Sequence, residues 1–163
     1  MLHEAPQFLV ALEQSGLGAA IRQSVWLYPA ANVGHILALT VFAGGVVAMD
    51  LRLLGAFAAA PPAAIVRPAR ALAMLGFALL LLTGSILFTA EASHVATNRV
   101  FQIKAGLIAL GLINALLVNR PLHSAIASAP AFAPLPGRIR LAAVLSLCVW
   151  FSVAACGRLI AYF

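Results

Sequence analysis

Four long apolar stretches alternate with short polar connections along the chain, and this pattern predicts four membrane-spanning helices. They cover residues 30–54, 69–91, 100–119 and 139–161. An α-helix needs roughly twenty residues to cross the roughly 30 Å of hydrocarbon in a bilayer, and these stretches have that length. The expected fold is therefore an all-α integral membrane four-helix bundle in a single domain, residues 1–163.

The segment before the first span has a different pattern. Residues 5–23 mix apolar side chains with charged and amide side chains and contain no long apolar run. This mixture is typical of a short amphipathic helix that lies in the membrane interface. A break is expected near Gly16 and Gly18, because glycine weakens a helix. Trp26 and Tyr28 follow, as aromatic residues do where a span meets the lipid headgroups.

The composition supports a membrane protein, and the distribution of its charges indicates the expected partner. Hydrophobic residues make up 64% of the chain and charged residues 9%, which is the composition of a membrane protein. The net charge of +6 would suit nucleic acid if the cations formed one surface patch. Instead, arginines flank two connections, the one between the first two spans and the one between the last two: Arg52, Arg67, Arg70, Arg120, Arg138 and Arg140. The lipid bilayer is therefore the expected partner, and nucleic acid is not.

The other side of the bundle carries fewer cations, namely Arg22, Arg99, Lys104 and Arg158. By the positive-inside rule, the arginine-rich side faces the cytoplasm and both termini lie outside. For a bacterial protein, this predicts a multi-pass protein of the inner membrane with both termini in the periplasm.

His35 is the residue that this pattern leaves unexplained, because it lies inside the first span. An ionisable side chain within a span costs on the order of 2–3 kcal/mol, so it normally has a partner in the bundle interior. Two explanations are open. His35 can be a packed histidine that is hydrogen-bonded to a facing threonine or serine, or it can be the ligand of a metal or cofactor.

Three further polar residues are expected at a similar depth on the same side. Glu91 and His94 follow the second span, and Lys104 lies near the start of the third. Such convergence suits a buried metal or cofactor site, in which an imidazole supplies nitrogen and a carboxylate orients it. The alternatives are a Lys104 that extends to the headgroups and a solvated His94 that is hydrogen-bonded to Glu91.

The available ligands favour haem b. A zinc site needs three or four ligands, and a di-iron bundle needs two Glu-x-x-His pairs, of which this chain has one. Haem needs one or two axial ligands and an apolar pocket between helices. His35 is expected to bind the haem iron, with His94 or Lys104 as the second axial ligand. Glu91 is expected to support the site through hydrogen bonds.

Several short runs resemble those of known membrane proteins: Tyr28-Pro29, Asn32-Val33-Gly34-His35, Gly44-Gly45, Asp50-Leu51-Arg52-Leu53-Leu54-Gly55, Phe101-Gln102-Ile103-Lys104 and Asn114. Together they resemble an uncharacterised family of small bacterial four-span membrane proteins. More distantly, the chain is similar to the four-helix membrane protoporphyrinogen oxidases and to the copper-resistance D type permeases. The oxidase resemblance implies haem binding by His35 and a requirement for Lys104 in activity.

Asp50 and Arg52 lie where the first span meets the arginine-rich side. A local ion pair, or an arginine bound to headgroup phosphates, would explain them without any chemistry. The other interpretation is a salt-bridged latch to a neighbouring loop or to a partner subunit.

The sequence therefore predicts a haem b protein that acts in electron transfer or as a small membrane oxidoreductase, with a quinone or a porphyrin as partner. Two alternatives belong to other classes. One is a permease for copper or another small cation, in which His35, His94 and Glu91 line the path. The other is an accessory subunit without a cofactor, which packs against a larger membrane complex or against a second copy of itself.

Overall fold

The computed structural model describes residues 5–127, 129–160 and 162. Within them the chain forms α1 (Gln7–Gln14), α2 (Gly16–Gln23), α3 (Leu27–Leu54), α4 (Pro62–Ala90), α5 (Ala92–Thr97), α6 (Arg99–Ala127) and α7 (Gly137–Leu159). Four of these helices, α3, α4, α6 and α7, are long and apolar enough to cross a membrane. The predicted all-α membrane bundle with a short helical segment before it is confirmed.

The four spans pack as a series of neighbours. α3 lies against α4 and against α7, and α7 in turn lies against α6. By contrast, α4 and α6 touch only narrowly. The end of the bundle that carries the six arginines is called the arginine end below, and the end near α1, α2 and α5 is called the opposite end.

Glycines bring α3 and α4 into backbone contact. A Cβ atom at Gly45 would lie 2.7 Å from the carbonyl oxygen of Ala69 and 2.7 Å from the nitrogen of Ala73. A Cβ atom at Gly76 would lie 2.5 Å from the nitrogen of Phe42. Any side chain at these two positions would force the helices apart. In lipid, no hydrophobic driving force brings helices together. Small residues at such contacts let membrane helices approach closely, and the helices are then held by van der Waals attraction.

Three aromatic rings, Phe42, Phe77 and Trp150, meet in the middle of the bundle and are called the aromatic cluster below. The Phe42 and Trp150 rings meet edge to face, with centroids 4.7 Å apart, and Phe77 contacts both. Gly111 of α6 makes room for Trp150, because a Cβ atom there would lie 2.7 Å from the indole ring. The cluster therefore ties all four spans together at one level.

Polar contacts fasten α1 and α2 to the end of α4. Arg22 Nη1 donates to the carbonyl oxygen of Glu13 at 2.7 Å and to that of Ala90 at 2.8 Å. Ala90 is the last residue of α4, and the final carbonyls of a helix have no partner within it. The Glu13 carboxylate accepts hydrogen bonds from the backbone N–H of Ser93, at 2.8 Å, and from its hydroxyl. The N-terminal helices are thus held by side chains that complete the backbone hydrogen bonds of α4 and α5.

The N-terminal segment is divided into two helices at Ser15. The Ser15 hydroxyl accepts a hydrogen bond from the backbone N–H of Gly18 at 3.2 Å, which is the usual interaction of a serine at a helix start. The break therefore lies beside the predicted position at Gly16.

Two helices extend beyond the predicted spans that they contain. α4 begins at Pro62 rather than at residue 69. A proline is tolerated in the first turn of a helix, because the N–H that it lacks would have no partner there. α6 continues through Pro121 to Ala127 rather than ending at residue 119. Pro68 and Pro121 each remove one helical hydrogen bond, which membrane helices tolerate when neighbouring groups compensate.

The glycine contact between α3 and α4 predicts opposite effects at two adjacent positions. Gly45→Ala is expected to destabilise the protein by roughly 1–3 kcal/mol, because the added methyl group meets backbone atoms that cannot move alone. Gly44→Ala is the matched control: nothing lies within 4 Å of its Cβ position, and alanine favours a helix by up to about 1 kcal/mol. Equal destabilisation of both variants in detergent unfolding experiments would contradict the described contact.

The contact between Glu13 and Ser93 predicts a dependence of stability on pH. Hydrogen bonds from the Ser93 hydroxyl and backbone lower the pKa of the Glu13 carboxyl from its ordinary value of 4.5, and Arg22 adds to this. A carboxyl whose pKa is lower in the folded protein stabilises it above the unfolded pKa and loses that effect as the pH falls. Glu13→Gln should therefore lower the melting temperature at pH 7 by roughly 2–4 °C. The difference from wild type should shrink below about pH 4.5; a difference that is constant from pH 7 to pH 3.5 would show that the ionised carboxylate is not responsible.

Candidate functional site

His35 lies on the face of α3 that contacts the other spans. The buried residues Ala31, Ala38 and Phe42 lie four positions before it and three and seven positions after it. Residues at these spacings share one face of a helix. The half-buried His35 ring is therefore directed toward the interior of the bundle.

One hydrogen bond joins the His35 ring to α4. Its Nδ1 atom lies 2.8 Å from the hydroxyl oxygen of Thr83. That hydroxyl also lies 2.7 Å from the carbonyl oxygen of Leu79. A hydroxyl has a single proton, so when Thr83 donates it to Leu79, it accepts a proton from Nδ1. In the neutral ring the other nitrogen, Nε2, then carries a free lone pair, which is the form in which histidine binds metals.

Two glycines allow His35 and Thr83 to meet. A Cβ atom at Gly84 would lie 3.3 Å from Cε1 of the His35 ring, closer than ordinary contact. A Cβ atom at Gly34 would lie 3.4 Å from the methyl group of Thr83. A larger residue at either position would push His35 and Thr83 apart.

Lys104 of α6 approaches the same site. Its half-buried side chain lies within electrostatic range of the His35 ring. On α7, a Cβ atom at Gly157 would lie 3.6 Å from Nζ of Lys104, and Cys156 is also within electrostatic range of the amine. All four spans therefore contribute a residue at this level of the bundle.

Glu91 and His94 lie farther toward the opposite end. Glu91 accepts a hydrogen bond of 3.5 Å from the hydroxyl of Tyr28, and His94 is exposed on α5. Glu91 follows Thr83 by eight positions, or about 12 Å at the rise of an α-helix. The structure thus brings Lys104 to the level of His35 and places Glu91 and His94 roughly two helical turns away.

The site offers too few ligands for some metals. In the described part of the chain, no three His, Cys, Asp or Glu side chains come together. A zinc or di-iron site needs at least three such ligands, so those residues do not form one. An imidazole with a free Nε2 meets the requirement of haem iron, which takes one or two axial ligands.

Aromatic residues bound the site on both sides. Toward the opposite end, the Phe88 and Phe101 rings stack with centroids 5.6 Å apart and link α4 to α6. Toward the arginine end lies the aromatic cluster. Neither the cavity at the arginine end nor the one between α1 and Ser93 is lined by His35 or Lys104. Among the spans that contact each other, α4 and α6 share the narrowest contact.

Thr83 and Gly84 were not predicted as site residues. Their signal in the sequence is a hydroxyl and a glycine side by side within an apolar run of leucines, Leu79 to Leu82. Such residues also serve close helix contact, so the sequence alone does not distinguish the two roles.

Asp50 and Arg52 do not pair with each other. Both are 1% exposed, but side chains two positions apart do not face each other on a helix. Arg52 Nη2 donates to the carbonyl oxygen of Ala60 at 2.8 Å, while the Ser146 hydroxyl lies against the Asp50 carboxylate. Arg52 therefore contacts the loop that follows α3 through a hydrogen bond to a backbone carbonyl oxygen rather than through an ion pair.

The bond between His35 and Thr83 predicts the ring tautomer. In protein with ¹⁵N-labelled histidine, the His35 signals should be those of a neutral ring with hydrogen on Nδ1. Thr83→Val removes the hydroxyl that accepts from Nδ1, with little change in side-chain volume. The ring of this variant should therefore no longer favour the Nδ1–H tautomer. Thr89→Val is the control, because Thr89 bonds only within its own helix, to the carbonyl oxygen of Ser85. Signals of an Nε2–H ring in the wild-type protein would contradict the assignment.

Comparison with known proteins places the chain in a family. Residues 10–163 match the model of a "Family of unknown function (DUF6644)", a range that includes His35 and Lys104. No curated protein and no solved structure matches the chain. Because the matched range covers nearly the whole sequence and contains four apolar helices, this multi-pass membrane protein belongs to that family of unknown function.

Proposed function

We propose that this protein binds one haem b through His35 and acts in electron transfer or as a small membrane oxidoreductase. The observation that carries the proposal is the hydrogen bond from His35 Nδ1 to the Thr83 hydroxyl. A histidine that binds a metal nearly always donates its other ring N–H to a fixed acceptor, which sets its tautomer and orientation. Thr83 meets that requirement, and His35 Nε2 is left available for iron.

The residues around His35 fit this role. Gly84 lies against the His35 ring and Gly157 lies against Lys104 Nζ, so both side chains pack closely on the backbone of a facing helix. When bound, haem would supply a one-electron redox centre whose potential depends on its axial ligands and on burial. His35 would hold the iron, Thr83 would orient the imidazole, and the two aromatic layers would exclude water.

Lys104 is the preferred second axial ligand in this proposal. It approaches the His35 ring from α6, whereas His94 is exposed on α5. A lysine binds a metal only through its neutral amine. Glu91, which accepts a hydrogen bond from Tyr28, would stabilise the mouth of the site rather than a ligand.

The membrane placement follows from the arginines. We propose that the protein lies in a bacterial inner membrane, with the arginine end in the cytoplasm and both termini in the periplasm. The His35 site would then lie in the periplasmic half of the bilayer. A quinone or a porphyrin could reach it from the lipid, along the gap between α4 and α6.

A second candidate function is favoured by one observation, the buried carboxylate of Asp50. This residue is 1% exposed, and its Oδ2 atom has no hydrogen-bond partner among the described residues. Ionisable residues inside a membrane frequently mark cation or proton pathways. In a small-cation permease, Glu91 and His94 would lie at the mouth, His35 deeper, and Asp50 near the arginine end.

An absorption spectrum tests the haem proposal. Full-length protein, expressed with added haem precursor and extracted in detergent, should give a Soret band and a reduced-minus-oxidised difference spectrum. His35→Ala should abolish these bands, and Thr83→Val should weaken haem retention by roughly tenfold, the usual effect of losing an orienting partner. His123→Ala is the control, since His123 is exposed on the part of α6 near the arginine end.

Two results would contradict the proposal: wild-type protein that takes up no added haemin, or bands that persist in His35→Ala. In the first case, vesicles with reconstituted protein separate the remaining candidates. Cation uptake that is lost in Asp50→Asn would support the permease, and absence of uptake together with a co-purifying membrane protein would support an accessory subunit.

A further inference from the structure

A cavity of about 190 Å³ lies at the arginine end, far from the His35 site. It is formed by the end of α3 with the loop after it, and by the segment that precedes α7 together with the first turn of α7. The two connections are joined beside it, because the backbone N–H of Phe132 donates to the carbonyl oxygen of Ala58 at 2.8 Å. A water molecule takes about 30 Å³ of liquid, so the cavity has room for a small polyatomic ion.

Two arginines, Arg52 and Arg140, supply all the charge among the described residues that line this cavity. The other lining residues are apolar or glycine, and none is acidic. The nearest carboxylate in the sequence, Asp50, lies against Ser146 instead. Two guanidinium groups that line one cavity repel each other, and an anion between them would reduce that repulsion.

The hydrogen bonding of Arg52 is incomplete. Its side chain is 1% exposed, yet only Nη2 has a described bond, to the carbonyl oxygen of Ala60. The buried Nε–H finds no partner in residues 5–127, 129–160 and 162. A buried donor without an acceptor is costly. The guanidinium is a planar fork of donors that matches the oxygen atoms of a phosphate or carboxylate, so an anion would supply what is missing.

The start of α7 adds positive potential at the same place. Pro136 caps this helix without a side-chain hydrogen bond, and the first turn contains no acidic residue. The first backbone N–H groups of a helix are unpaired and attract anions. Leu135 and Arg140, on either side of this helix start, both line the cavity.

Both loops have strained conformations. Phe57 and Phe132 have φ angles of 54° and 62°, in the left-handed region that bulky residues rarely adopt. One belongs to each connection, and both side chains are exposed. The two loops that border the cavity thus share this unusual backbone conformation.

We propose that this cavity binds a phosphate group through Arg52 and Arg140, either on the headgroup of an anionic lipid or as a free ion. The arginine end of a membrane bundle lies at the level of lipid headgroups, which brings phosphate within reach. This site is separate from the proposed haem site and does not depend on it.

Thermal stability of delipidated full-length protein tests the proposal with three additions. The probes are inorganic phosphate, phosphatidylglycerol micelles and phosphatidylcholine micelles. Wild-type protein should be stabilised in a saturable way by phosphate, by phosphatidylglycerol, or by both. Stabilisation by phosphate assigns a free ion, and stabilisation by phosphatidylglycerol alone assigns an anionic headgroup; each result supports the site.

Substitutions of two exposed arginines provide the decisive comparison. Arg140→Gln should weaken apparent binding about tenfold, as expected for the loss of a charge-assisted hydrogen bond. Arg138→Gln is the matched control, because Arg138 is exposed in the same helical turn but does not line the cavity. Arg52→Gln should abolish binding. Because Arg52 is buried, this variant can fail to fold, and the comparison of Arg140→Gln with Arg138→Gln does not depend on it. Absence of stabilisation in wild-type protein, or an equal loss in Arg138→Gln and Arg140→Gln, would overturn the proposal.

Discussion

Backbone contact between α3 and α4 is the constraint on which the rest of the structure depends. Gly45 and Gly76 let the two helices approach until a single added methyl group would collide with backbone. Only at this separation does the Thr83 hydroxyl on α4 come within 2.8 Å of the His35 ring on α3. The same contact fixes Phe42 against Gly76 and so positions the aromatic cluster that ties the remaining spans to this pair.

The bond to Thr83 gives the His35 ring a polar partner within the span. A hydrogen bond between membrane helices contributes on average about 0.6 kcal/mol and at most about 1.7 kcal/mol. The insertion cost of about 2.5–3.5 kcal/mol applies to charged side chains such as those of arginine, lysine and aspartate, and a neutral imidazole carries no charge. Ligation of a cofactor, as proposed above, would add to the stabilisation from Thr83.

The two ends of the bundle carry different chemistry. At the opposite end, His35 of α3 and Lys104 of α6 lie beside the glycines Gly84 and Gly157. At the arginine end, two guanidinium groups line a cavity without any carboxylate, which suits an anion. The aromatic cluster separates the two regions, so each can be altered by mutation without direct contact with the other.

Much of the fold could be predicted from the sequence, because four apolar runs of sufficient length leave few alternatives in a membrane. The ends of α4 and α6 were missed, since Pro62 and Pro121 were read as loop residues although both lie within helices. Of the site, His35 and Lys104 stood out as ionisable residues in apolar surroundings. Thr83 did not, because a threonine between apolar residues serves helix contact equally well.

The positions of Glu91 and Arg52 show a second reason for the limits of sequence analysis. The sequence predicts Glu91 at a depth similar to that of His35. In the structure, α4 continues beyond Thr83, so Glu91 lies farther along the bundle and contacts Tyr28. The cavity beside Arg52 depends on two connections that are some 75 positions apart in the sequence and meet through the bond from Phe132 to Ala58. No local pattern contains such a contact.

The most direct test of the central claim, that α4 presents His35 as the ligand of a cofactor, is an experimental density map of the protein purified from its own membrane. The account predicts planar density bonded to His35 Nε2, with Nδ1 still hydrogen-bonded to Thr83. Side chains of the protein packed against Nε2, in a site too small for any ligand, would contradict it.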